Sequence, residues 1–112
     1  MNVLWIKDNN IGHEKQVQVL LDELSNNLNL NIECRTVKGS IPFFRYIDKV
    51  QENFYDLIIG AGHKTYPISI KTKKNQKKSC KNIAVLAPST NKMKFDVICA
   101  PSHDAKRLKN LN

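Results

Sequence analysis

At 112 residues, 41% hydrophobic and 25% charged, the chain has ordinary globular composition and the length of one domain with one modest core. A net charge of +8 gives its surface a positive potential that attracts phosphates, nucleic acid or anionic membrane, and says nothing about the fold. No apolar run approaches the roughly 20 residues needed to cross a bilayer, so the chain is expected in the cytoplasm, at most peripheral to a membrane.

Met1 to Ile6 is apolar but lacks a basic leader and runs at once into Lys7-Asp8-Asn9-Asn10, so it reads as a strand rather than a signal peptide. Five short β-branched and apolar runs predict strands: Asn2 to Ile6, Leu30 to Val37, Asp56 to Gly60, Asn82 to Leu86 and Asp96 to Ala100. Between the first two, Val17, Leu20, Leu21, Leu24 and Leu28 fall on one face of an amphipathic helix. Pro42 suits a first helical turn, and Phe43, Ile47, Val50 and Phe54 recur at helical spacing, which predicts a second helix before the third strand. A short third helix is expected from Thr65 through Lys74, with Thr65 as its cap and Pro67 in its first turn.

Alternating strands and helices imply an open, mainly parallel five-stranded sheet with flanking helices, a Rossmann-like α/β domain spanning residues 1–112. Ligands of such sheets bind at the carboxyl ends of the strands. The three histidines each follow a predicted strand, in Gly12-His13-Glu14, Gly62-His63-Lys64 and Ser102-His103-Asp104, so parallel pairing would bring all three turns to that edge. Small residues there admit a ligand close to backbone amides, and the positive end of a following helix favours phosphate or carboxylate. Histidine adds a donor to an anion or a base near neutrality.

No cofactor and no metal are expected. Gly60-Ala61-Gly62 lacks the third glycine of a dinucleotide fingerprint and the acidic residue that should follow it, and the histidines have no zinc spacing. Cys34, Cys80 and Cys99 have no paired spacing and read as reduced thiols, with Cys34 and Cys99 as small buried hydrophobes within strands. The charge excess is concentrated in Lys71, Lys73, Lys74, Lys77, Lys78 and Lys81, which reads either as a solvated loop or as a patch for protein or anionic lipid. Nucleic acid is disfavoured, because no aromatics interleave with that run and no recognition motif is present.

Trp5-Ile6, Gly12 to Gln16, Asp56 to Thr65, Ala87-Pro88-Ser89, and Phe95-Asp96 followed by Pro101 to Asp104 occur in an order that resembles the mitochondrial fission (elongated-mitochondria type) family and its bacterial relatives. The resemblance spans nearly the whole chain and is to the amino-terminal half of those proteins. That family in turn resembles GT-B glycosyltransferases, in which this half holds the acceptor. It implies a base at His13, ligand contacts from Gly12, Glu14, Gly60, Gly62, His63, Lys64, Thr65, Ser89, His103 and Asp104, and a phosphate-bearing, membrane-associated acceptor. A second Rossmann-like domain or subunit would be its partner, and without one the chain is not expected to transfer sugar. The other reading is a non-enzymatic adaptor that binds protein or an anionic membrane.

Overall fold

The computed structural model of the chain describes residues 1–86, 88 and 92–99. Its elements follow one another as β1 (Asn2–Lys7), α1 (Ile11–Ser25), β2 (Asn31–Thr36), β3 (Leu57–Ala61), α2 (Tyr66–Lys73), β4 (Lys81–Val85) and β5 (Val97–Cys99), with single 3-10 turns at Pro42–Phe44 and Lys92–Lys94. The strands form one sheet in the order β2-β1-β3-β4-β5, and every pairing is parallel. This is the expected Rossmann-like arrangement. Its topology reverses between β1 and β3, and a crevice opens at such a switch point, outside the carboxyl ends of the two strands.

Buried parallel strands need apolar residues on both faces, and β1 and β3 supply them. Val3, Trp5, Leu57, Ile59 and Ala61 point to one face, where Val17 and Leu21 of α1 close a core. Leu4, Ile6 and Ile58 point to the other, where they meet Ile68 of α2. The stripe on α1 therefore holds through Leu24, which packs against the first core, while Leu28 lies beyond the helix end and is exposed.

The helix expected from Pro42 to Phe54 does not form. Only the 3-10 turn at Pro42–Phe44 is present, and Arg45 already returns to extended backbone. The cause is long-range pairing: the Tyr46 amide donates to the Lys38 carbonyl at 2.9 Å and the Lys38 amide to the Tyr46 carbonyl at 2.7 Å, which commits both groups of Tyr46 to a bridge. Downstream, Gln76 acts as a staple. Its Oε1 accepts from the amides of Phe54 and Tyr55 at 2.9 and 3.0 Å, and its Nε2 donates to the Gln51 carbonyl at 2.8 Å. Ile47, Val50 and Phe54 still pack inward against the second core, but from an irregular segment.

The cysteines also depart from expectation. Cys80 is buried, whereas Cys34 is exposed, because β2 is an edge strand and none of its residues joins the core under α1. Cys99 is half-buried.

Candidate functional site at the topological switch point

The first turn is built by Asp8, Asn9 and Asn10 rather than by Gly12. Asn9 takes a left-handed conformation with φ of 65°, which turns the chain back from β1. Asn10 then caps α1, its side chain accepting from the His13 amide at 3.1 Å. Gly12, His13 and Glu14 all lie in the first helical turn. Gly12 is exposed there with ordinary helical backbone, so neither a turn nor a close approach demands glycine.

This folding-back brings two side chains together. Asp8 Oδ2 stands 2.7 Å from His13 Nδ1. The Asp8 side chain is only 6% exposed and that of His13 is 27% exposed. A carboxylate only accepts, so the ring nitrogen facing it carries the hydrogen, and in the neutral ring Nε2 is then the nitrogen that keeps its lone pair. Asp8 Oδ1 accepts from the Asn10 amide at 3.1 Å, which fixes the carboxylate's second oxygen. The result is an oriented imidazole whose free nitrogen can take a proton, the arrangement that serves a general base.

Gly62 forms the opposite wall, immediately after β3. Its φ is +97°, and a Cβ there would fall 2.6 Å from His13 Nδ1 and collide with the Asp8 carboxylate. The β3 turn and the β1 turn thus meet at the switch point, and only glycine lets them touch. Gly60, two residues earlier within β3, is glycine for a different reason: a Cβ would sit 2.8 Å from Thr65 Oγ1. Thr65 is fully buried, and its hydroxyl donates to the Gly62 carbonyl at 2.8 Å. Gly60 and Thr65 therefore shape the turn after β3 from beneath, and Thr65 makes no side-chain cap to α2.

His63 and Lys64 are exposed on that turn. With Arg45 and Lys71 they line a groove of about 400 Å³ whose apolar wall includes Phe43 and Ile68. The edge is uneven in charge. On the α1 side Asp8 and Glu14 stand beside Lys7 and Lys15, whereas the α2 side carries Arg45, Lys64 and Lys71 with no carboxylate among the groove's lining residues.

The lysine run does not gather into one patch beside this edge. Lys71 lines the groove, but Lys74, Lys77 and Lys78 lie in the connection from α2 to β4, at the opposite end of the sheet. Lys73 Nζ pairs with Asp96 at 2.6 Å and Lys77 Nζ with Asp56 at 3.5 Å. Lys81 opens β4. Ser89, His103 and Asp104 lie outside the described residues, as does Ala100 at the end of the fifth expected strand. Among the described residues no group of histidine, cysteine and carboxylate side chains could hold a metal ion, and no helix is long and apolar enough to cross a membrane.

Asp8 is the site residue that sequence reasoning missed. Its only local signal is an acid five positions before a histidine with Asn-Asn between them, the residues best able to make a left-handed turn.

The sequence profile of the Mitochondrial fission ELM1 family matches residues 8–112, nearly the whole chain and including both turns of the crevice. No curated protein and no solved structure gives a match.

Proposed function

For a chain that belongs to the Mitochondrial fission ELM1 family, we propose that this domain is the acceptor side of a GT-B-like sugar-transferring assembly, binding a ligand that carries both a hydroxyl and a phosphate. The observation that carries this reading is the Asp8–His13 pair at the switch point, 2.7 Å apart. A hydroxyl placed against His13 Nε2 would give up its proton there while its oxygen bonds to the anomeric carbon of the donor sugar and the bond from that carbon to the departing phosphate breaks. Asp8 is a positioning residue, holding the ring and stabilising the imidazolium.

The charge of the groove fits such a ligand. A phosphate is attracted to Lys64, Arg45 and Lys71, where no carboxylate lines the groove, and its hydroxyl end is left for His13. In this reading a second Rossmann-like domain or subunit supplies the half that holds the donor nucleotide, and the chain alone transfers no sugar. The adaptor reading has less support, since five of the six lysines that would carry it lie at the far end of the sheet from the crevice and two of those are paired.

Amide spectra of the chain titrated with glucose 1-phosphate test the proposal. The expected shifts fall on Asp8, His13, Gly62, His63 and Lys64, and Lys64→Gln weakens binding about fivefold, the value of one lost charge contact of roughly 1 kcal/mol. Shifts confined to Lys74 and Lys78, or no shift at His13 at saturating ligand, would count against it.

A further inference from the structure

Between Gly39 and Tyr46 the chain forms a closed loop with its large apolar side chains turned outward. Ile41 is 58% exposed, Phe43 96% and Phe44 73%. At 96% exposure Phe43 touches almost nothing, although its ring would bury readily in any available core. The loop is nonetheless fixed. The Lys38–Tyr46 bridge closes its base, the Phe44 amide donates to the Ile41 carbonyl at 3.0 Å, and Gly39, at φ +95°, lets the chain pass so near the Phe44 carbonyl that a Cβ would lie 2.9 Å from it. Exposed apolar side chains held on a pinned loop are presented rather than left over from failed packing.

Cations flank them. Arg45, Lys64 and Lys71 line the groove beside Phe43, and none of the three makes a salt bridge among the described residues. Arg45 Nε is in addition buried without a hydrogen-bond partner among the described residues. The adjoining cavity, by contrast, is lined by Asp48 and Glu52 as well as Lys49, so its charge is mixed.

We propose that this loop docks the protein on an anionic lipid bilayer, with Ile41, Phe43 and Phe44 entering the interface and Arg45, Lys64 and Lys71 taking lipid phosphates in the groove. Two aromatic rings beside unpaired cations suit the layered chemistry of a bilayer, where apolar and anionic zones lie a few ångströms apart. A spike nearly bare on all sides suits a fluid surface that can close around it. The assignment replaces the lysine run by a different surface, at the carboxyl edge of the sheet. Docking there would bring the bilayer to the side that holds His13, and the proposal stands independently of any proton transfer at that residue.

Vesicle flotation of the chain tests this, using phosphatidylcholine alone and phosphatidylcholine mixed with phosphatidylglycerol. Binding is expected only to the mixed vesicles. The triple variant Arg45→Gln/Lys64→Gln/Lys71→Gln should lose roughly a hundredfold in partitioning, at about fivefold per cation. Phe43→Ser/Phe44→Ser should lose more than tenfold, while Lys74→Gln/Lys78→Gln loses less than either. All these positions are exposed except Arg45, which is half-buried, and unchanged melting temperatures would show that the variants fold. A Phe43→Trp variant gives a second readout, since native Trp5 is already buried and the added indole should shift to shorter emission wavelength only with anionic vesicles. Equal binding to neutral vesicles, loss centred on the Lys74/Lys78 pair, or an emission shift that follows protein concentration without lipid would overturn the proposal. The last result would assign the loop to a protein contact.

Discussion

Asp8 and His13 stand 2.7 Å apart across the connection from β1 to α1, Asp8 just after the strand and His13 in the first turn of the helix. What holds them at that distance is a turn with Asn9 in left-handed backbone, a helix cap from Asn10, and Gly62 pressed against both from the neighbouring strand.

Gly62→Ala is therefore expected to cost about 2 kcal/mol, from the strained φ alone, and to push the His13 ring off Asp8. Urea unfolding measures the first effect. The His13 ring resonances report the second, and an unmoved ring would mean that the turn after β3 does not confine the pair.

The other glycines separate structural need from accident. Gly60→Ala should destabilise by about 2 kcal/mol, because its Cβ meets the fully buried Thr65 side chain, which has nowhere to move. Gly12→Ala should be close to neutral, since a helix-propensity gain of about 1 kcal/mol is opposed by crowding at 3.3 Å of Asn10 Oδ1, the atom that caps α1. Thermal unfolding of the two variants side by side checks the order.

Acid should loosen the end of the sheet opposite the crevice. The Asn2 amide, donating at 2.8 Å, and to a lesser degree Lys77 hold the Asp56 carboxyl below its ordinary 3.8. Burial pushes Asp96 up, but Lys73 and the Asn82 amide outweigh it and leave Asp96 lowered as well. A carboxyl lowered by folding contributes stability that is complete above its unfolded value near 3.9 and is lost as pH falls through the folded one. Urea midpoints should thus drop steeply below about pH 4, and Asp56→Asn/Asp96→Asn should flatten that fall while lowering stability at neutral pH.

The thiols should react in order of exposure. Burial raises the Cys80 and Cys99 thiols, and Cys34 is the exposed one. Iodoacetamide at neutral pH followed by peptide mass spectrometry should find Cys34 modified first and Cys80 last, with all three equal once the chain is unfolded. Early labelling of Cys80 would mean that its side of the second core opens.

The parts of the fold legible in the sequence are those whose signal is local. Buried parallel strands announce themselves as apolar runs, and Val17, Leu21 and Leu24 place α1 by period alone. The misreadings arise where distant partners decide. Phe43, Ile47, Val50 and Phe54 imitate a helix, yet Tyr46 is claimed by Lys38 and the segment's end by Gln76. Cys34 looked buried because strand order, and hence the open edge at β2, cannot be read from a strand's own residues. Lys73 and Lys77 looked like a free patch because Asp96 and Asp56 lie about twenty positions away. At the site, His13 and the Gly62-His63 turn were legible as residues after strands. Asp8 was not, because its role depends on the turn that folds it back.

The proposed base requires that Asp8 hold His13 with Nδ1 protonated and Nε2 free at the switch point. Long-range proton–nitrogen spectra of the imidazole ring test this directly at a pH where the ring is neutral. The native chain should show the Nδ1–H tautomer, and Asp8→Asn should shift it toward Nε2–H. A native His13 already in the Nε2–H form, unchanged by Asp8→Asn, would mean that Asp8 does not orient the ring.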